Sequence, residues 1–577
     1  MNQVFDYLKK HFRVISVLLS ASAVISVFLY LFIQDYRIDL SLRQTPEMIL
    51  QQMTLEEKVG QLIHVGINGK SIDSYAVRDI QKLKAGGVIL FANNIGSPES
   101  IKKLNGELQN LASHSTEIPL FISIDQEGGR IARIPDDSSP GAMAIGQTAN
   151  VQYAEDVGFL TAYRLRDLGF NLLLAPVLDV NNNPENPVIN TRSFGSSPEL
   201  VASMGISHSK GIRKAQIVPV IKHFPGHGDT DTDSHLALPR INKSYEELEK
   251  MELIPFKKSI ENGAEALMSA HILFPALDSE EPATLSPKIL RGILREKLKY
   301  NGLILTDAME MHAISKRYKP EESIKKAFLA GADIILLTTT GRLPEKAFKA
   351  LHSAFQSGEL SIEDLDRAVL RQISLKYKKG YFHQQNSKYA REDLSDYFNR
   401  KKIRVNETFL RLENKYKKKT LYSSVADDSI RSLKKDYSFP SKDKENIQFY
   451  YSTSKMKKYA ELKIPVKNIQ PLNFISLLKS AENNPSNLFI VEVNEFNLKQ
   501  WNRFADKINL NQKMQDSDRP HIIALYNGNP FFDIKVSEPG AVFLSFSPTD
   551  ESLEALLNVC LEKKVVKKAN LVFTKLK

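Results

Sequence analysis

At 577 residues the chain exceeds what one hydrophobic core usually supports, so two or three domains are expected, and its 42% apolar content is ordinary for a globular protein. The formal charge of +11 comes mostly from scattered lysine, with one denser run at Lys415, Lys417, Lys418 and Lys419. No recognition motif accompanies that charge, which argues against nucleic acid and leaves a solvated surface or attraction to an anionic membrane or wall polymer. Cys560 is the only cysteine, so intrachain disulfides and multi-thiolate metal sites are excluded.

At the amino terminus, residues 1–13 form a basic segment with Lys9, Lys10 and Arg13, followed by VISVLLSASAVISVFLYLFI at 14–33. That run has about the 20 apolar residues a helix needs to cross a ~30 Å hydrocarbon layer. Its exit, YLFIQDYR, lacks the small-residue site that usually follows a cleavable signal. The reading is an uncleaved transmembrane anchor, with a cleaved signal peptide as the alternative. Positive charge before the span places the rest of the chain outside the cytoplasm, in periplasm or at the cell surface, and a cleaved signal would give a secreted protein.

From about residue 46, short apolar runs alternate with longer amphipathic ones. The strand candidates are QLIHVGI (61–67), GGVILF (86–91), LFISID (120–125), LLLAPVLDV (172–180), VPVIKHF (218–224), ALMSAHI (266–272), GLILTDA (302–308) and DIILLT (333–338). Helical patterns lie between them, at 98–112, 244–263 and 321–331, and a closing helix spans 361–382. Eight such βα units fit a (β/α)8 barrel of TIM type over residues 46–385, though an open doubly wound sheet has the same pattern. In a barrel, polar residues just after the strands carry the chemistry. Here those positions hold Asp125, Asp179, Lys222, His223, His271 and Asp307.

Residues 386–404 are polar and read as a linker. Beyond them, NIQFYYS, NLFIVEVNE, HIIALYNGNPF and AVFLSFSPTDESLEALLNVCLEK give further strands and at least one helix, a second, smaller C-terminal α/β domain over 405–577. It contains no acidic cluster and no glycine-rich phosphate loop, so a structural or substrate-contact role is expected.

The densest cluster of ionisable groups is KHFPGHGDTDTDSH (222–235). Asp229, Asp231 and Asp233 have the spacing that opens a calcium-binding EF-hand loop. Its sixth position would be Ser234 in place of glycine, and its twelfth Arg240 in place of glutamate. Zinc fits no better, because Pro225 and Gly226 separate His223 from His227 and prevent a shared helical face. No metal or other cofactor is therefore expected. Acid/base chemistry needs fewer residues: in Asp233-Ser234-His235, alternate side chains of an extended segment can point the same way, so the carboxylate can accept the imidazole Nδ1–H and raise its basicity. With a free pKa of about 6.5, His235 can donate a proton and later take one near neutral pH.

An acid needs a partner. Asp307 ends an all-apolar strand, where a buried carboxylate costs several kcal/mol unless it has partners. In glycoside hydrolysis such a carboxylate attacks the anomeric carbon or activates water, and Asp307 is the candidate nucleophile.

Taken together, KHFPGHGDTDTDSH, IDQEGGRIAR (124–133), NTRSFG (190–195) and LTDAM (305–309) resemble the β-N-acetylhexosaminidase branch of glycoside hydrolase family 3. The resemblance covers roughly residues 46–385, and the later region looks more weakly like the second domain of longer members. It implies Asp307 as nucleophile and His235 with Asp233 as the acid/base dyad. By the same resemblance Asp125 and Arg133 hold sugar hydroxyls, and Arg192, Lys222 and His223 lie around the sugar and its N-acetyl group. The implied enzyme is a retaining exo-β-N-acetylglucosaminidase whose substrate is an N-acetylglucosamine-containing glycan, with peptidoglycan fragments as its natural source. Rival readings are a broader β-glucosidase of the family, a phosphorylase, since a neutral base would tolerate an anionic acceptor such as phosphate, and a non-catalytic membrane-anchored glycan-binding protein. The oligomeric state leaves no trace in the sequence.

Overall fold

In the computed structural model of the chain, eight parallel strands appear at the expected places: β1 (Ile63–Gly66), β2 (Gly87–Leu90), β3 (Phe121–Ile124), β4 (Leu172–Leu173), β5 (Val218–Phe224), β6 (Ala266–Ser269), β7 (Leu303–Leu305) and β8 (Ile335–Leu337). The structure describes residues 46–384 apart from 135–138, 184 and 235; it also describes 395–416, 420–429 and parts of 431–568, and only residues 26 and 30 of the first 45. The apolar run at 14–33 thus lies almost wholly outside the described residues. Among the described residues no helix is long and apolar enough to cross a membrane.

Every strand is buried along its length, which is why each reads as a continuous apolar run and not as an alternating one. The ladder runs β7-β6-β5-β4-β3-β2-β1-β8, all parallel. A single bridge, Leu305 to Ile334, joins its two ends and closes the ring as a TIM-type barrel. Alternate residues fill the interior: Val218 and Val220, Ala266 and Met268, Leu303 and Leu305, and Ile334 and Leu336 form one cluster with Phe121 and Tyr381. The doubly wound alternative is thereby set aside.

The closing joint is reinforced by a side chain. Asp333 Oδ2 accepts from the Ile304 N–H at 2.8 Å and pairs with Arg295 at 2.6 Å, while Oδ1 pairs with Arg371 at 2.7 Å. Its carboxylate is 1% exposed, so burial is compensated by these three donors.

Local chemistry fixes the helix starts. Thr54 and Ser244 form capping boxes with Glu57 and Glu247, and Ser97 caps Pro98–Ser113 with Pro98 at its first position. The helix expected over 244–263 is two helices, Tyr245–Lys250 and Leu253–Glu261, broken at Met251. The strand expected over 172–180 is reduced to β4, because Pro176 has no N–H to donate; the ladder resumes only as a bridge between Val177 and Lys222.

Ser395–Lys415 forms one helix across the boundary drawn at 404/405. Val405 and Leu412, seven apart and so on one helical face, lie in the barrel's own hydrophobic cluster, with Phe409 packed beside them. Beyond residue 430 the described residues include a seven-stranded sheet: β9 (Arg431–Ser432), β10 (Ile447–Tyr451), β11 (Ile469–Pro471), β12 (Leu488–Val493), β13 (His521–Asn527), β14 (Ala541–Ser545) and β15 (Lys567–Lys568), ordered β11-β10-β12-β13-β14-β9-β15. It is parallel except where β14 meets β9.

Candidate active site

The carboxyl ends of the strands surround a cavity of about 790 Å³ lined by Asp125, Arg133, Arg192, Lys222, His223 and Asp307. Its floor is the top of the barrel's inner layer, where Ile89, Leu174, Met268 and Leu336 reach it. Lys222 continues the inward row of Val218 and Val220 on β5, two residues further on, so strand pleat alone sends it to the centre of the barrel mouth.

There Lys222 Nζ lies 2.7 Å from both Asp125 Oδ1 and Glu127 Oε1. Glu127 also receives Arg192, Nε to Oε2 and Nη2 to Oε1, each at 2.8 Å. Burial would raise the Glu127 carboxyl, but the charges of Arg192 and Lys222 outweigh it and hold the group far below the usual carboxylate range. Burial likewise works against the charge on Lys222, and Asp125 and Glu127 more than restore it, so the ammonium is held above its ordinary value.

A tight turn presents these groups. Gln126 Oε1 accepts from the N–H of Arg133 at 2.6 Å and of Ile134 at 3.1 Å, and the Glu127 N–H donates to the Ile131 carbonyl. Gly128 has φ +86°, and a Cβ there would lie 2.5 Å from the Pro140 carbonyl oxygen, so the turn requires glycine.

His223 is oriented from behind. Its Nδ1 donates to Asp179 Oδ2 at 2.7 Å, and its Nε2 lies 3.5 Å from Arg192 Nη2. Asp179 is fully buried; its Oδ1 accepts from the backbone N–H of His223 and of His227. Desolvation would raise this carboxyl, and His223 and His227 hold it down.

Asp307 stands two residues past β7, with its Oδ1 accepting from the Ala308 N–H at 2.7 Å. Burial pushes its carboxyl up, but His271, His223, the Ala308 N–H and Lys222 together keep it below the ordinary aspartate value. His271, on the β6 side, bonds the Ala308 carbonyl through Nε2 at 2.9 Å, which fixes the peptide beside the carboxylate.

His227, Gly228, Ser234 and Leu236 are each pinned by hydrogen bonds. Asn186 Nδ2 donates to the carbonyls of His227 and Gly228, and a Cβ on Gly228 would lie 1.6 Å from the Val180 carbonyl oxygen. His227 bonds Thr230 Oγ1 through Nδ1 and Ser234 Oγ through Nε2; burial and neighbouring His223 lower its pKa to about 4, so the ring is neutral. The Ser234 carbonyl accepts from the Ala313 N–H at 3.3 Å, and the Leu236 carbonyl from Lys316 Nζ at 3.1 Å. Both donors belong to the stretch that follows Asp307. Ser234 lines the cavity and Asp233 is half-buried beside it; His235 lies outside the described residues. Asp229 pairs with Lys243 at 2.8 Å, and Asp231 accepts from Thr232.

The six sequence-derived residues Asp125, Arg133, Arg192, Lys222, His223 and Asp307 thus share one cavity. Sequence reasoning passed over Glu127, weighed His227 only as a zinc ligand, and gave Asp179 and His271 no role, although the last two sit at strand ends. Glu127 lies inside the quoted IDQEGG run, where only the folded turn reveals that its carboxylate meets two cations.

The sequence matches the glycosyl hydrolase family 3 N terminal domain over residues 54–375, more than half of the chain. It is 38% identical over 324 residues to Beta-hexosaminidase A of Pseudoalteromonas piscicida, a match covering 52% of this chain and 54% of that protein. It is 32% identical over 343 residues to Beta-hexosaminidase LpqI of Mycobacterium tuberculosis, covering 57% of this chain and 85% of the relative. Among solved structures, a family 3 β-N-acetylglucosaminidase from Paenibacillus sp. FPU-7 superposes with a TM-score of 0.75 and 30% identity, covering 90% of this chain and 99% of that one. The chain spans only about half the length of the first of these relatives. A closed eight-stranded barrel, a carboxylate at the end of its seventh strand and the family match over more than half of its length together make the chain a member of glycosyl hydrolase family 3.

Proposed function

We propose that the protein is a retaining exo-β-N-acetylglucosaminidase, with Asp307 as nucleophile and His235, oriented by Asp233, as acid/base. The observation that carries this reading is the setting of Asp307: a half-buried carboxylate at the cavity, kept ionised by His271, His223 and Lys222. In the first step Asp307 attacks the anomeric carbon, the glycosidic C–O bond breaks, and His235 gives its proton to the leaving oxygen. In the second, His235 takes a proton from water, whose oxygen forms the new bond to the anomeric carbon as the bond to Asp307 breaks. Support for the dyad comes from the bonds of Ser234 and Leu236 to Ala313 and Lys316, which tie the segment around position 235 to the stretch after Asp307.

Asp125, Arg133, Arg192, Lys222 and His223 bind the terminal sugar in this reading. The region beyond the helix Ser395–Lys415 forms a C-terminal α/β domain, and residues 14–33 anchor the enzyme with its barrel outside the cytoplasm. Peptidoglycan-derived glycans ending in β-linked N-acetylglucosamine are the natural substrate proposed.

The test is turnover of aryl β-N-acetylglucosaminide against aryl β-glucoside by residues 35–577. Preference for the former, retention of anomeric configuration, and loss of turnover in Asp307→Ala and His235→Ala are expected. Preference for the glucoside, a sugar phosphate formed when inorganic phosphate is supplied, or full activity of Asp307→Ala would sink the proposal.

A further inference from the structure

The turn that presents Glu127 and Arg133 does not stand on barrel residues alone. The Gly129 N–H donates to the Ser139 carbonyl at 2.8 Å, and Ser139 Oγ meets Thr161 Oγ1 at 3.1 Å. Two residues later the Gly141 N–H, at the start of helix Ala142–Thr148, donates to the side chain of Ser547 at 3.1 Å. Ser547 follows β14, and its residue is 1% exposed. A helix leaves its first N–H groups without intrahelical partners, and here one N-terminal donor finds its acceptor 406 positions away.

The contact is tight and continues into a core. A Cβ on Gly129 would lie 2.8 Å from the Gly141 Cα and 3.4 Å from Ser547 Oγ, so the turn, the helix start and the serine fit against one another without spare room. The next residues of the helix, Met143 and Ala144, are fully buried in a cluster with Tyr450, Trp501, Phe489, Val491 and Tyr526 of the second sheet and its helices. Residues 128, 129 and 139–144 are therefore held on one side by barrel residue Thr161 and on the other by the second sheet.

We infer that the second sheet is a working part of the sugar pocket, and that Ser547 is a positioning residue that holds the turn bearing Glu127 and Arg133 in its binding geometry. The inference rests on the reading of that pocket as the sugar site. It gives the carboxyl-terminal region a function, since a barrel freed from the sheet would keep its nucleophile and lose the support behind its sugar-binding turn. An unsatisfied buried N–H at Gly141 would also favour opening of the turn to water.

The test uses the full chain with Ser547→Ala, and with Ser547→Thr to restore the hydroxyl. In Ser547→Ala, amides of residues 128–141 should exchange at least fivefold faster, KM for aryl β-N-acetylglucosaminide should rise about fivefold, and kcat should fall by less than KM rises. Ser547→Thr should recover both the exchange rate and KM. Unchanged exchange, or faster exchange with unchanged KM, overturns the inference. Wild-type protein that turned over no N-acetylglucosaminide would defeat the sugar-site reading instead, and the exchange comparison would still decide whether the turn is clamped.

Discussion

Arg192 grips Glu127 through two parallel N–H···O bonds of 2.8 Å, and both side chains are nearly withdrawn from solvent. Such a pair is expensive to break from one side: removing one member of a buried ion pair costs about 3–5 kcal/mol, because the other charge stays behind uncompensated. Glu127→Gln is expected to lower the urea-unfolding free energy by roughly that amount and to raise KM. The double substitution Glu127→Met/Arg192→Met should recover much of the stability and none of the sugar affinity. Recovery of both would mean that the pair serves packing alone.

The pH dependence of turnover should carry the mark of Asp307. Its folded pKa is depressed, so the proposed nucleophile stays ionised below the ordinary carboxylate value of about 4, and the acid limb of kcat/KM is expected at lower pH than a free aspartate would give. His271→Gln keeps a donor for the Ala308 carbonyl while removing one of the charges that hold the carboxylate down, so that limb should move up in pH. An acid limb unaffected by His271→Gln would assign it to another group.

His208 offers a stability experiment away from the cavity. Burial lowers its pKa from 6.5 to about 4, and its Nδ1 has no partner among the described residues. Below about pH 6.5 the unfolded chain takes up a proton that the folded imidazole refuses, so stability is lost as pH falls from 6.5 towards 4, by about 3 kcal/mol at the limit. His208→Phe cannot titrate and should flatten this part of the plot of melting temperature against pH. An unaltered slope would show that other groups set it.

Gly228→Ala tests how closely the loop around the proposed acid/base must be placed. A Cβ there meets the Val180 carbonyl oxygen at 1.6 Å, and backbone cannot move aside as a flexible side chain can. Displacement of the loop by about 1 Å should cost on the order of 100-fold in kcat/KM. A crystal structure of the variant would show the displaced segment, and wild-type kinetics would separate loop placement from catalysis.

Much of the barrel could be read from residues because burial on both faces makes strands plain in sequence. VPVIKHF gave the bounds of β5, Val218–Phe224. Pro176 cut the fourth run short, since the missing N–H interrupts a ladder that apolar content alone would extend. The break at Met251 was hidden because the apolar spacing of 244–263 continues across it; Pro255 in the first turn of the second helix is the local sign. The cavity residues at strand ends were legible for the same geometric reason as the strands. Glu127 and His227 were not, because their meaning lies in which charges and hydroxyls the fold brings to them. The helix at Ser395–Lys415 could not be read from the sequence because its many charged residues conceal the apolar face formed by Val405, Phe409 and Leu412.

The ring's last joint, where Asp333 receives Ile304, Arg295 and Arg371, has a consequence at the opposite rim. Strand β7 leads to Asp307 and is bonded to that carboxylate through Ile304, so the aim of the proposed nucleophile is set partly by an anion outside the cavity. Under the proposed mechanism, heritable changes that weaken this seam would present as faulty chemistry with every residue lining the cavity intact.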